Sequence, residues 1–200
     1  MNRYYKKLNF PSELIPDIDT SQWDTEGYSW IQFHKVLKPH QLKNDKFIEC
    51  LKSLGMCSRW IEVFYTPPGQ DGVIHSDNTD WLDWTKIYFQ YGAVGSTMRW
   101  WESDKTVEYS TATGKYIKNC RDRTEEHYHG QVLVAQEEDS TIVYEADLKS
   151  PCLVNVGKLH SSHNPTKEKR FALTVALSDI DGGRILWDDA LSRLSDYYDK

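Results

Sequence analysis

Between Arg170 and Leu177 the sequence RFALTVAL alternates without interruption, and that run constrains the fold more than any other. Successive side chains of a β-strand point to opposite faces. Arg170, Ala172, Thr174 and Ala176 therefore share one face, while Phe171, Leu173, Val175 and Leu177 share the other. The second set is uniformly bulky and suits packing against helices. The first is small behind a single cation, which leaves room on that side for an anionic ligand. A sheet with helices outside and a cavity inside is the expectation.

The rest of the chain reads as short strands with helices near both ends. Met1–Thr20 is an extended arm punctuated by Pro11 and Pro16, and Tyr28–Val36 alternates as a strand. From Lys38 to Leu54 the spacing of Leu42, Phe47, Ile48 and Leu51 predicts a helix, with Gly55 as its stop. Strands follow at Arg59–Tyr65, Val73–Asp77, Lys86–Tyr91 and Thr97–Trp101, the first ended by Thr66-Pro67-Pro68-Gly69. Ser103–Gly130 is polar and reads as an insertion, with a hairpin tip at Thr113-Gly114-Lys115 between Val107–Ser110 and Tyr116–Lys118. Gln131–Ala135, Thr141–Glu145, Leu153–Val156 and Phe171–Leu177 complete the sheets, and Arg184–Tyr198 predicts a C-terminal helix. A single domain over residues 1–200, with its core at about 56–178, is expected to be mainly β, a small barrel or two-sheet sandwich. No βαβ alternation or glycine-rich phosphate loop is visible.

Chemistry-bearing residues concentrate in two places. His75 and Asp77, two apart in a strand, point the same way, and a polar turn presents His160 ten residues before Arg170. An H-x-D pair is expected roughly 0.6 times by chance in a chain of this composition, so the pair alone identifies nothing. The order carries the weight: His-x-Asp after a Pro-Gly turn, intervening strands, a late His, then a basic residue opening an apolar strand. Two imidazoles and one carboxylate with open positions suit non-haem Fe(II) oxygen chemistry. Spacing to Arg170 favours His160 over His163 as the late ligand. His127 and His129 form an H-x-H without downstream partners and read as a solvated or substrate-side pair. The tryptophans at 81, 84, 100 and 101 read as core and cavity rim.

Three segments, EVFYTPPGQDGVIHSDN (62–78), KIYFQYGAVGSTMRWWES (86–103) and NVGKLHSSHNPTKEKRFALTVAL (155–177), resemble the Fe(II)/2-oxoglutarate-dependent dioxygenases, and within them the prolyl-4-hydroxylase-like branch. The resemblance implies a double-stranded β-helix (jelly-roll, cupin-like) with His75, Asp77 and His160 as metal ligands and catalytic centre. It implies Arg170 on the distal carboxylate of 2-oxoglutarate, with Tyr65, Tyr88 and Thr174 on the cosubstrate side. Fe(II) and 2-oxoglutarate are the implied cofactors, with ascorbate as a reductant. The implied reaction is hydroxylation of a small-molecule or peptide substrate, a prolyl or other amino-acid side chain, with release of succinate and CO2.

A net charge of −6 and a pI near 5.6 weigh against nucleic-acid binding, which needs clustered Lys and Arg. The basic N-terminus has no apolar run behind it and nothing later approaches a membrane span, so a cytoplasmic protein is expected, with Cys50, Cys57, Cys120 and Cys152 as free thiols. Two other readings use the same residues: a non-catalytic or 2-oxo-acid-independent cupin-like metal-binding protein, and an assembly protein presenting an aromatic surface.

Overall fold

The computed structural model describes residues 2–20, 34–37, 42, 44–77, 83–110, 115–117, 131–149 and 151–198. In chain order its elements are β1 (Tyr5–Lys7), β2 (His34–Leu37), α1 (Asp45–Ser53), β3 (Met56–Thr66), β4 (Gln70–Asp71), β5 (Ile74–His75), β6 (Thr85–Tyr91) and β7 (Thr97–Ser103). They continue with β8 (Thr106–Ser110), β9 (Lys115–Ile117), β10 (Gln131–Ala135), β11 (Ser140–Asp147), β12 (Cys152–Asn155), β13 (His160–Asn164), β14 (Arg170–Asp179) and α2 (Trp187–Arg193).

Among the described residues the strands form two antiparallel sheets, ordered β1-β12-β6-β14-β3-β2 and β11-β7-β13-β5-β10-β8-β9, with β4 pairing β13. Take β3, β5, β6, β7, β11, β12, β13 and β14 as first to eighth. One sheet then runs first, eighth, third, sixth, and the other second, seventh, fourth, fifth. That interleaving is a jelly roll: the fold is a cupin-like double-stranded β-helix. Strands β8 and β9 pair as a hairpin, but Lys115 lies in the ladder opposite Ser110 rather than in the tip; Thr113, Gly114 and residues 118–130, including His127 and His129, lie outside the described residues.

The alternation of β14 does what its side chains dictate. Phe171, Leu173, Val175 and Leu177 join Ile61, Val63 and Phe89 on the outer face, where Phe47 and Leu51 of α1 and Trp187 and Ala190 of α2 cover them. Ala172 and Ala176 face inward and pack with Trp84, Tyr88, Met98, Trp100 and Val154 between the sheets. The small side of β14 thus gives the interior its space.

Three boundaries differ from the sequence pattern for local reasons. The C-terminal helix is α2 alone, followed by a short 3-10 turn at Ser195–Tyr197, because bridges Ser178–Arg184 and Trp84–Leu186 hold residues 184 and 186 extended. Helix α1 starts late: the Asn44 side chain accepts from the Phe47 amide at 2.9 Å and caps it. Its end is as expected, Gly55 taking φ +69°. The N-terminal arm is partly a strand, since β1 pairs with β12 and completes the edge of its sheet. Of the strand expected at 28–36, residues 28–33 lie outside the described residues, as do Trp81 and Cys120.

Candidate metal centre

Strand pairing brings the two imidazoles together. His75 on β5 is the register partner of His160 on β13, across the middle of the second sheet. Beyond β5 the Asp77 amide donates to the Val156 carbonyl at 2.8 Å, and Ser76 is pinned to Leu133 by its amide and its hydroxyl. Asp77 consequently leaves the strand on the His75 side. The ring centroids of His75 and His160 are 4.6 Å apart. Oδ1 of Asp77 lies 3.3 Å from Nε2 of His75 and 3.6 Å from Nε2 of His160. One ligand atom from each residue falls within 4.8 Å of the others.

Both tautomers follow from the backbone. Nδ1 of His75 meets the Val73 carbonyl at 2.8 Å, and Nδ1 of His160 meets the Lys158 carbonyl at 2.9 Å. A carbonyl only accepts, so each Nδ1 carries the proton and each Nε2 offers a lone pair. Burial, with His75 beside it, pushes the His160 imidazole down to about 4, so it is neutral near pH 7. Burial opposes ionisation of Asp77, yet the Lys86 ammonium, the hydrogen bond from His75 and the two imidazoles together outweigh it and hold the carboxyl well below the usual carboxylate range. Nε2 of each ring and Oδ1 of Asp77 therefore converge on one point. A divalent cation fits that donor set, and two nitrogens with one oxygen match the open facial arrangement used by Fe(II).

The same cavity holds a buried cation. Arg170, 2% exposed, donates through Nη1 to Thr66 Oγ1 at 3.0 Å, through Nε to Gln90 Oε1 at 3.3 Å, and through Nη2 to the Tyr88 hydroxyl. Among the described residues it has no carboxylate partner. Burial, against the opposing pull of Arg170, pushes the Tyr88 phenol up to about 12, so it stays protonated. Phe64, Met98, Val156, Ala172 and Ser162 help to line the cleft.

His75, Asp77, His160, Arg170, Tyr88 and Thr174 all line this cleft. Tyr65 does not: one residue of register turns it to the outer face, where its ring packs 5.3 Å from that of Phe171. Its neighbours Phe64 and Thr66 face the cavity instead. Thr174 hydrogen-bonds Glu62 at 3.4 Å. His163 turns away from the centre and pairs with Asp71. The sequence pattern did not single out Lys86, Glu62, Thr66 or Gln90. Lys86 had a signal, since it lies two residues before Tyr88, which was assigned inward; Glu62 had none, because Tyr65, the residue of its strand assigned inward, lies on the other face.

No protein-family model matches the sequence, and neither does any curated protein. Solved structures match at low identity. EvdO2 from Micromonospora carbonacea var. aurantiaca, complexed with 2-oxoglutarate, is 9% identical over 81% of this chain and 69% of its own, with a TM-score of 0.34. The E. coli protein ycfD is 9% identical over 80% of this chain, with a TM-score of 0.37, and this chain spans only 38% of its length. An uncharacterised Klebsiella pneumoniae protein with a double-stranded β-helix domain is 11% identical over 64% of this chain and 68% of its own, with a TM-score of 0.28. At these scores the fold rests on the strand order given above, and the site on its own side chains.

Proposed function

We propose that this protein is an Fe(II)- and 2-oxoglutarate-dependent oxygenase that hydroxylates an amino-acid side chain, free or within a peptide. The metal would be held by His75, Asp77 and His160, and the cosubstrate by Arg170 with Tyr88 and Thr66. When bound, Fe(II) and 2-oxoglutarate supply the oxidising chemistry, oxidative decarboxylation of the 2-oxo acid to succinate and CO2 coupled to oxygen insertion into a C–H bond. The choice of side chain follows the motif resemblance to prolyl-4-hydroxylase-like enzymes.

One observation carries this reading: a buried guanidinium that has no carboxylate partner among the described residues opens into the cavity that holds the three converging donors. A buried charge left unpaired is costly. The planar fork of Arg170 suits a carboxylate better than a point charge would, and Tyr88 keeps its proton and can donate beside it. A cupin that bound metal alone would have no use for that cation. The small side chains of Ala172 and Thr174 leave space between the guanidinium and the donor set. Apolar walls from Phe64, Met98 and Val156 exclude water and strengthen each charge contact inside.

The test is succinate formation from 2-oxoglutarate with Fe(II) and ascorbate, first without substrate and then across peptides and amino acids, followed by a mass gain of one oxygen. Turnover that needs both His75 and Arg170 supports the reading. Metal binding without any 2-oxoglutarate turnover or binding favours the cupin-like metal protein instead.

A further inference from the structure

Lys86 stands at this centre without a part in the chemistry just described. Its side chain is 3% exposed. Nζ lies 2.6 Å from Oδ2 of Asp77 and also contacts Oε2 of Glu62, which Thr174 Oγ1 approaches at 3.4 Å. Both histidine Nε2 atoms face the other oxygen of Asp77, Oδ1. The rings of Trp84 and Phe64 stand 5.0 and 5.8 Å from the ammonium and keep water from it.

We propose that Lys86 is the positioning residue that restricts the metal to three protein donors, an inference that rests on the oxygenase reading above. A carboxylate can bind a cation through one oxygen or two, and Oδ2 of Asp77 is occupied by the ammonium. Two carboxylates within hydrogen-bonding reach of one nitrogen stand at most about 6 Å apart. Without Lys86, Oδ2 and the Glu62 carboxylate would both be drawn to a divalent cation. Each would close a position that cosubstrate and dioxygen require. The ammonium also offsets carboxylate charge that would otherwise repel a dianionic 2-oxo acid. A compact point charge fits between two carboxylates where an arginine fork would be too long.

The experiment loads wild type, Lys86→Met and Lys86→Met/Glu62→Gln with Mn(II), counts metal-bound waters by water-proton relaxation, and titrates each with 2-oxoglutarate. Wild type should hold the most exchangeable waters, the double variant fewer and Lys86→Met the fewest, with Mn(II) at least threefold tighter and 2-oxoglutarate at least tenfold weaker in Lys86→Met. Because the double variant removes the Lys86–Glu62 pair as a whole, it carries the comparison with wild type even where the single variant fails to fold. Equal water numbers and equal 2-oxoglutarate affinity overturn the role of Lys86 while leaving the oxygenase reading standing. Mn(II) binding that is absent from wild type, or that survives Asp77→Ala, overturns the metal centre itself and this inference with it.

Discussion

His75 and His160 face each other with ring centroids 4.6 Å apart, and each ring is turned by the same bond, from Nδ1 to the carbonyl two residues earlier. The backbone that sets the strand register therefore sets the tautomers too. A ligand oriented in this way needs no rearrangement when a cation arrives.

Removing one of three donors from such a site leaves too few to hold the ion. His75→Ala and Asp77→Ala should each lower Mn(II) affinity at least roughly a hundredfold, more than the 10–100-fold typical of losing an outer partner. Electron paramagnetic resonance titration reads this directly. Saturating Mn(II) should raise the melting temperature of wild type by mass action and leave both variants unmoved. Unaltered binding in either variant removes that residue from the ligand set.

Arg170 predicts a separable effect. Truncating one partner of a buried charge pair costs about 2–5 kcal/mol, so Arg170→Ala should weaken 2-oxoglutarate binding roughly 30-fold to a few thousandfold. Metal affinity should stay within about threefold of wild type, because the guanidinium contacts Thr66, Gln90 and Tyr88 rather than the donors. Isothermal titration of the Mn(II) form tests both. An unchanged 2-oxoglutarate affinity reassigns Arg170 to structure.

What the sequence disclosed and what it hid have one physical division. Period-two alternation is a local property, so the two faces of β14 and the shared side of His75 and Asp77 were legible from the chain alone. The pairing of His160 with His75 depends on which strands become neighbours, and only the ordered motifs hinted at it. Tyr65 was misplaced because its residue type fits either face; its register partner Phe171 is bulky and faces the helices, which fixes Tyr65 there. Lys86 was passed over because a lysine in a strand usually marks solvent, and its two carboxylate partners lie 24 and 9 residues before it, on other elements. Only the folded sheet shows that its charge is matched.

The metal-free protein should lose stability in acid through His160. Its folded pKa, about 4, lies below the ordinary 6.5, so between these values the unfolded chain binds more protons and folding weakens as pH falls. The loss from this group should be on the order of 2–3 kcal/mol across that window. Asp77 acts in the same sense but in a lower window: its contribution is present above the ordinary carboxylate pKa of 3.8 and fades only at lower pH. Urea midpoints in EDTA from pH 7 to pH 4 should therefore fall for wild type and fall much less for His160→Gln. Parallel curves would remove His160 as the cause.

Adjacent residues of β14 should respond in opposite ways to a change of size. Leu173 is fully buried on the helix side, so Leu173→Ala should cost about 2–5 kcal/mol in urea unfolding, as a cavity among Ile61, Val63 and Phe89 would. Mn(II) and 2-oxoglutarate affinities of the surviving folded fraction should stay near wild type, because that face does not meet the cleft. Ala172 is the cleft-side neighbour, between Arg170 and Thr174. Ala172→Leu should cost only about 1–3 kcal/mol from overpacking, yet weaken 2-oxoglutarate binding at least tenfold by filling the space beside the guanidinium. Mn(II) affinity, set by β5, β13 and Asp77, should barely move. If Ala172→Leu binds 2-oxoglutarate as wild type does, the cosubstrate does not lie along the small face of this strand, and the anion for Arg170 must approach from another direction.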